Sequence, residues 1–485
     1  MPVVWVSDPR LGISGDGPKQ HFRAPSASSG DAAVPESRAF TLARVCLLVL
    51  LFGAPLAFGA VQPWAWATAA AVCFLVLLLW AIGCLGKGTV TVYWSPFYVV
   101  GLAVLLLGLV QYFARLTLDP VGSRESLLKF ATDLSFFFLA VQFVGGACER
   151  IWRRVGLTVA IYAFLISLLA IIQYFSSPDR IYWTVTLPAA NWSFGPYVNH
   201  NHYAGLMEML IPLALGYWFT LRKGNPLRIL LGLPLLLPIV SVLLCASRGG
   251  LIALSAEGVL LSVVLFKLAR SHGRRPIRPA SVLVAVAVVV AGCIWIVPGD
   301  NLTRLETLFQ PRLAEEIGFG NRAEVALDSL RILRDHPWAG TGLGSFKTAY
   351  SQYQSFPDDL LWDHAHNDYA EALAETGFLG GSLIVAAMVL FLGLSFSGLL
   401  IRLTDGSGWM PFGAALGCCG LLVHSFFDFN LHLPANALWF AFCLALAATA
   451  WTPSRLPEGS RHVSLTNSRL DMVGHSRKRG EQNCW

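Results

Sequence analysis

Long apolar segments recur along most of the chain, and short polar segments separate them. Each apolar segment is about 20 residues long, the length an α-helix needs to cross the hydrocarbon core of a membrane. The pattern predicts about twelve transmembrane helices, at residues 42–61, 64–86, 94–113, 127–147, 155–175, 203–221, 228–246, 249–269, 280–297, 378–401, 409–427 and 433–451. We therefore expect an all-α, polytopic integral membrane protein.

The composition agrees with this class. Hydrophobic residues make up 55% of the chain and charged residues only 13%, which excludes a soluble globular protein. The chain has 10 cysteines, none of them in a segment predicted to face the outside. A disulfide framework and a CxxC metal site are therefore excluded.

Both ends of the chain are polar. Residues 1–40 are rich in Ser, Gly and Pro and predict a disordered cytoplasmic tail rather than a signal peptide. Residues 452–485 predict a second cytoplasmic tail, whose basic cluster 477–479 favours anionic membrane lipid over nucleic acid as its partner. The residues between, 41–451, are expected to form one membrane-embedded domain.

Basic residues predict the orientation. With both termini inside, most of the 35 lysines and arginines fall in the inner segments, as the positive-inside rule requires. The longest loop, 298–377, then faces the outside, and most of the 11 histidines also lie on the outer side. We expect the chemistry of the protein to be on that side.

The polar stretch before the tenth predicted span holds the densest chemistry. His364, His366, Asn367 and Asp368 follow one another there. Asp368 with Glu371 predicts a capping box, so a helix should begin near Asp368 with His366 at its N-terminal mouth. The helix dipole would keep that ring neutral and able to act as a base.

Nearby carboxylates leave an alternative open. Asp363 and Asp368 would favour a charged His366 ring, and His364 and His366 with these two carboxylates could also hold a divalent ion. The spacing is not a recognised ligand set, so we predict no metal site.

A second polar cluster, Asn199, His200, Asn201 and His202, precedes the sixth span. Mixed amide and imidazole groups beside aromatic rings suit sugar hydroxyls. Capping of a helix by Asn201 is the alternative, but it accounts for one residue of the four.

Two arginines are candidate anion ligands. Arg248 stands between two spans with two glycines after it, where it could bind a phosphate or simply reach the lipid headgroups. Asn321 and Glu324 predict a capping box that puts Arg322 in the first turn of a helix, where anions bind.

Three further features follow. Residues 321–335 predict an amphipathic helix, lying on the membrane or on neighbouring spans, whose apolar face is Ala323, Ala326, Leu330 and Leu333. The glycine-rich segment 340–344 lacks the lysine of a P-loop and is interpreted as a turn. His424 and Asp428, at the end of the eleventh span, either bind substrate or join helices.

Taken together, these motifs resemble the O-antigen ligase and polymerase superfamily. The resemblance covers about residues 190–445 and rests on Asn199–Gly205, Ser247–Gly250, Gly320–Arg322, His336–Gly342, His366–Gly380 and His424–Pro434.

The resemblance implies inverting, metal-independent glycosyl transfer without a cofactor, on the periplasmic face of the bacterial inner membrane. The donor would be an undecaprenyl-pyrophosphate-linked glycan, and the acceptor a sugar on lipid A core, a growing polysaccharide or a glycoprotein. His366 matches the family's proposed base, and Arg248 and Arg322 match its pyrophosphate-binding arginines. His364 departs from the pattern and offers a second candidate base.

Several functions stay open at this point. Ligation to a lipid core, polymerisation of repeat units and O-oligosaccharyl transfer to protein are not separated by these residues. A non-enzymatic transporter of lipid-linked glycans, or a scaffold, would also be polytopic. A transporter should carry polar groups near the membrane midplane, whereas the spans here are clean apart from Asp133, Glu208 and Glu257. The sequence therefore favours an enzyme.

Overall fold

The computed structural model describes residues 38–87, 89–90, 92–145, 149–186, 193–222, 224–232, 234–271, 319–357, 361–449 and 463–464. Nearly all regular structure in this part of the chain is helical. The first nine helices are α1 Arg38–Leu56, α2 Pro63–Lys87, α3 Phe97–Phe113, α4 Pro120–Gly145, α5 Glu149–Ser176, α6 His200–Thr220, α7 Pro226–Gly232, α8 Leu236–Cys245 and α9 Arg248–Ser271.

The remaining helices are α10 Phe319–Asp335, α11 Phe346–Tyr350, α12 Asp368–Phe396, α13 Leu399–Thr404, α14 Trp409–His424 and α15 Pro434–Thr449, with 3-10 turns at Phe58–Ala60 and Asn430–His432. Strands of two residues form two antiparallel pairs: β1 Thr89–Val90 with β4 Val463–Ser464, and β2 Arg180–Ile181 with β3 Val185–Thr186. The predicted all-α class is confirmed in its main feature.

Among the described residues, 7 segments are long and apolar enough to cross a membrane: α1, α2, α4, α5, the α7–α8 pair, α9 and α12. Three shorter apolar helices, α3, α14 and α15, coincide with further predicted spans. This is a multi-pass membrane protein. The predicted ninth span and residues 298–318 of the long loop lie outside the described residues, and the count of about twelve stays a prediction.

Helix α6 lies at the centre of the helical core and packs most extensively against α14. Glycines allow this close approach: a Cβ added at Gly413 would lie 2.3 Å from the Pro212 carbonyl oxygen, and one at Gly417 would lie 2.8 Å from Met209 Cα. Small residues let neighbouring helix backbones come together in a membrane. The packing brings the start of α6, with Asn201, close to the residues that follow α14.

Helix α12 is kinked at Gly377, whose φ of 62° and ψ of −161° are not helical. The glycine-rich segment 340–344 packs against this kink. The N–H groups of Thr341 and Gly342 donate to the carbonyls of Ala374 and Glu375 at 3.0 and 2.9 Å. These amides serve the protein's own backbone, as expected for a turn rather than a phosphate loop.

Helix α10 is present as predicted, but the capping box predicted at its start is wrong. It begins at Phe319, so Asn321 lies inside the helix and does not cap it, although Arg322 is in the first turn. Its protein-facing side contains Val325 and Ile332, while Leu330, on the predicted apolar face, is exposed. The buried side also carries the polar residues Asp328 and Ser329. The sequence pattern therefore does not identify this side as the buried one.

Candidate functional site

Helix α12 begins as predicted at Asp368, but a different residue caps it. Asn367 is extended (φ −158°, ψ 103°), and its Oδ1 accepts hydrogen bonds from the N–H groups of Tyr369 and Ala370. The predicted Asp368–Glu371 capping box is therefore wrong. Because an amide already occupies the cap, both carboxylates are left to contact other side chains.

His366 lies immediately before this cap, at the helix mouth, as predicted. Its φ of 50° is in the left-handed region, which is strained for a residue with a Cβ. Its Nδ1 lies 3.1 Å from Oδ1 of Asp428. The neighbouring carboxylate is thus Asp428 and not, as expected, Asp363 or Asp368: Asp363 pairs with Lys347 at 2.7 Å.

Asp428 is fully buried and joins several parts of the chain. Its Oδ2 accepts a hydrogen bond of 2.5 Å from Asn201 Nδ2 and lies 3.5 Å from Arg322 Nη1. His202 Nε2, 3.8 Å from Oδ1, is an electrostatic neighbour, too distant for a hydrogen bond. Burial alone would raise the pKa of Asp428, but the rings of His202 and His366 and the Arg322 guanidinium hold that pKa well below its usual range.

His364 points to a different carboxylate. Its Nδ1 lies 2.8 Å from Oε1 of Glu371, whose second oxygen accepts a 2.8 Å hydrogen bond from the N–H of Ala365. The ring stacks on Phe429, with centroids 4.3 Å apart. His364 and His366 are therefore held separately, by different acids.

His432, which was not a predicted site residue, completes this second group. Its Nδ1 lies 2.8 Å from Oδ1 of Asp368, and its Nε2 lies 3.2 Å from Oε1 of Glu371. Burial lowers the pKa of His432, but the Glu371 and Asp368 carboxylates outweigh it and raise the pKa to about 10. The ring is therefore an imidazolium that bridges two carboxylates at neutral pH.

Phe429 lies among the histidines. Besides stacking on His364, its ring meets those of His366 and His202 edge-on, with centroids 4.9 and 4.8 Å apart. The aromatic ring thus contacts the histidines of both imidazole–carboxylate groups.

The four polar residues 199–202, before the sixth predicted span, have different roles. Asn199, not Asn201, caps α6, because its Oδ1 accepts a 2.9 Å hydrogen bond from the N–H of Asn201. The side chains of Asn201 and His202 turn inward toward Asp428. Asn199 and His200 stay half-buried at the outer end of α6.

His424 lies below this site in a buried pair. Its ring is 1% exposed, and Nδ1 lies 2.8 Å from Oε1 of Glu208. A Cβ at Gly249 would lie 2.5 Å from the same ring, so the start of α9, with Arg248 as its first residue, packs directly against His424. Arg322 reaches the neighbouring segment, with Nη1 3.5 Å from the Phe427 carbonyl.

The family model described as O-antigen ligase matches residues 233–385. The chain is also 25% identical to an O-antigen ligase of Pseudomonas aeruginosa over 348 residues, which cover 70% of this chain and 75% of that protein. Both comparisons thus find this chain similar to O-antigen ligases. The family match contains Arg248, Arg322, His364, His366 and Asp368, whereas Asp428 and His432 lie beyond it.

The structure thus brings most of the predicted site residues into one region, but it divides them between two groups of carboxylates. His366, Arg322, Asn201 and His202 meet at Asp428, while His364 and Asp368 meet His432 and Glu371. The signal for His432 was weak but present: His424, Asp428 and His432 recur every four residues on the side predicted to face outward. For Glu208 there was no such signal in the sequence, because a single carboxylate in a predicted span does not indicate which residue it pairs with.

Proposed function

We propose that the protein is a glycosyltransferase of cell-surface polysaccharide assembly, an O-antigen ligase in activity. It transfers a glycan from undecaprenyl pyrophosphate to a sugar hydroxyl of lipid A core, on the periplasmic face of the bacterial inner membrane, with no metal ion or cofactor. Similarity to the O-antigen ligase family supports glycan ligation or polymerisation, and the relative's name favours ligation. The observation that carries the proposal is the His366–Asp428 pair beside Arg322.

His366 is the proposed general base. A sugar hydroxyl is a weak nucleophile and needs a positioned proton acceptor. With Nδ1–H directed at Asp428, the ring presents its Nε2 lone pair to the acceptor hydroxyl. The buried carboxylate then stabilises the imidazolium that forms. In the transfer step the hydroxyl proton goes to Nε2, and the oxygen bonds to the anomeric carbon from the face opposite the pyrophosphate.

Arg248 and Arg322 are the proposed pyrophosphate ligands. The bond between the anomeric carbon and the pyrophosphate oxygen breaks, and its electron pair leaves with the phosphate. Guanidinium groups stabilise this charge with paired hydrogen bonds. Arg248 is the first residue of α9 and Arg322 is in the first turn of α10, so both helix N-termini add favourable dipoles. Arg322 contacts the segment from His424 to Asp428, and Gly249, the residue after Arg248, packs against it.

The remaining predicted substrate ligands fall into two groups, one half-buried and one buried. Asn199 and His200, half-buried at the outer end of α6, are proposed to contact sugar hydroxyls. Asn201, His202, Asp368, His424 and Asp428 are buried and are proposed to position the residues that do. Asn367 caps α12 and thereby fixes the backbone next to the base.

Full-length protein in detergent, given an undecaprenyl-pyrophosphate-linked glycan, tests this function. The acceptors are lipid A core, a second lipid-linked repeat unit and a glycosylatable protein, each tried separately. Transfer to lipid A core with release of undecaprenyl pyrophosphate is expected, and His366→Ala should abolish it. Transfer to the repeat unit or the protein instead would replace ligation by polymerisation or protein glycosylation. No transfer to any acceptor would remove the enzyme proposal.

A further inference from the structure

A second group of ionisable side chains lies beside the His366–Asp428 pair and is neither the proposed base nor a proposed pyrophosphate ligand. His364 precedes α12, Glu371 is in the first turn of α12, and His432 ends the 3-10 turn after α14. One ligand atom from each lies within 4.8 Å of the others. His364 Nδ1 and His432 Nε2 approach the same oxygen, Glu371 Oε1, at 2.8 and 3.2 Å.

We propose that His364, Glu371 and His432 form a binding site for a divalent cation of the zinc class. Two imidazole nitrogens and one carboxylate oxygen, with a fourth position open, are a ligand set typical of zinc. Magnesium and calcium prefer oxygen ligands throughout. Zinc–ligand bonds of about 2.0–2.2 Å put tetrahedral donor atoms about 3.4 Å apart, so small side-chain adjustments would admit the ion.

The surroundings orient each ligand as metal sites require. Asp368 Oδ1 lies 2.8 Å from His432 Nδ1 and can accept a hydrogen bond from it. The other ring nitrogen, Nε2, is then the one that can bind an ion. The N–H of Ala365 donates to Glu371 Oε2 and leaves Oε1 for the ion. Stacking on Phe429 fixes the plane of the His364 ring. In metalloproteins, hydrogen bonds from neighbouring residues hold imidazole and carboxylate ligands in position.

Occupancy of this site would inhibit glycan transfer. Phe429 contacts both His364 and His366, so the ion would lie about one aromatic ring from the proposed base. His366 becomes positively charged when it accepts the hydroxyl proton, and a nearby dication opposes that charge. This consequence rests on the proposed function, whereas the binding itself does not.

Binding is tested with chelator-treated, full-length protein in detergent, titrated with Zn²⁺ by calorimetry and with Co²⁺ by visible absorption. One ion per chain is expected, with the intense Co²⁺ bands of a four- or five-coordinate site. His364→Gln and His432→Gln should each weaken binding about 100-fold, and Asp368→Asn about 10- to 100-fold, the usual effect of losing an outer partner. His336→Gln, a histidine elsewhere in the same loop, should leave binding unchanged.

Two results would overturn the site: no stoichiometric binding, or equal binding by wild type and the His364→Gln variant, whose partly exposed ring can be replaced without harm to the fold. Transfer is then assayed with and without Zn²⁺. Inhibition of wild type, but not of His364→Gln, is expected. Binding without inhibition would keep the site and remove its link to His366. Binding by a protein inactive in every acceptor assay would keep the site and remove the proposed function.

Discussion

The Nδ1 atom of His366 lies 3.1 Å from Oδ1 of Asp428, although 62 residues separate them. The carboxylate is fully buried and the ring is 18% exposed, so one side of the imidazole faces protein and the other can reach a substrate. This arrangement distinguishes His366 from His364, whose Nδ1 is directed at Glu371.

Replacing the two histidines should separate their roles. We expect His366→Ala to lower the single-turnover rate about 10²–10⁴-fold, the usual contribution of a general base, with donor affinity largely kept because the arginines remain. His364→Ala should lose less. The measurement compares single-turnover rate and donor affinity for both variants. Equal small losses, or a loss confined to donor affinity, would take the base role away from His366.

Asp428→Asn should impair turnover by removing the charge that stabilises the imidazolium. An asparagine can also donate to Nδ1 and so turn the basic nitrogen away from the substrate. We expect kcat to fall about 10²–10⁴-fold while the donor Kd changes little. Asp363→Asn is the matched control, since Asp363 is closer in sequence but pairs with Lys347. A similar loss in both variants would contradict a specific role for Asp428.

Asp428→Asn should also lower the stability of the fold, by an amount that depends on pH. The pKa of Asp428 is held well below its usual range in the folded protein. Its charge therefore stabilises the fold above the unfolded pKa of about 4, and that contribution disappears as the pH falls through the folded value. Removing one partner of a buried pair costs about 3–5 kcal/mol. Thermal midpoints of wild type and Asp428→Asn should differ by a constant amount from pH 8 to 5, and the difference should shrink progressively as the pH falls from 4 toward the folded pKa. A gap that widens on acidification would refute this assignment.

The fold was predictable from the sequence to the extent that local patterns determine it. Apolar segments of membrane-spanning length located α1, α2, α4 and α5 within a few residues at most ends, because length and hydropathy are local properties. The face of α10 was not predictable, since its buried side carries Asp328, whose Oδ1 binds Arg331 at 2.7 Å. A buried polar residue whose partners lie inside the protein cannot be distinguished from a surface residue by its sequence alone.

The candidate site was predictable as a set of residues but not as a set of pairs. Which carboxylate meets which imidazole depends on the packing of α6 against α14 and on the kink at Gly377. The sequence therefore named His366 and Asp428 separately and assigned the caps to Asp368 and Asn201, one or two residues from the true caps. Capping motifs tolerate such shifts, because Asn and Asp satisfy the same backbone donors.

Topology can be tested by labelling with a membrane-impermeant thiol reagent from outside. Ser351→Cys in the long loop is exposed and should react if residues 298–377 face the periplasm. Ser460→Cys in the C-terminal tail should not react until the membrane is permeabilised. Wild-type protein gives the background from native cysteines. Labelling of Ser460→Cys alone in intact cells would reverse the predicted orientation.

The arginines provide the sharpest test of pyrophosphate binding. Arg248→Ala and Arg322→Ala should each reduce the rate about 10- to 150-fold, since each removes charge-assisted hydrogen bonds of about 1.5–3 kcal/mol. Lysine at either position should restore only part of the rate, because a point charge cannot bind two phosphate oxygens in parallel. Arg334→Ala, on the exposed side of the helix that carries Arg322, is the matched control and should be fully active.

Arg322 also contacts Asp428, so its loss has a second possible effect. The two effects are distinguished by donor affinity: loss of a pyrophosphate ligand weakens donor binding as well as turnover, whereas disturbance of Asp428 alone lowers turnover and leaves donor binding intact. We expect both to fall in Arg322→Ala and in Arg248→Ala. Full activity of the lysine variants would refute the paired hydrogen bonds, and full activity of the alanine variants would remove both arginines from the mechanism.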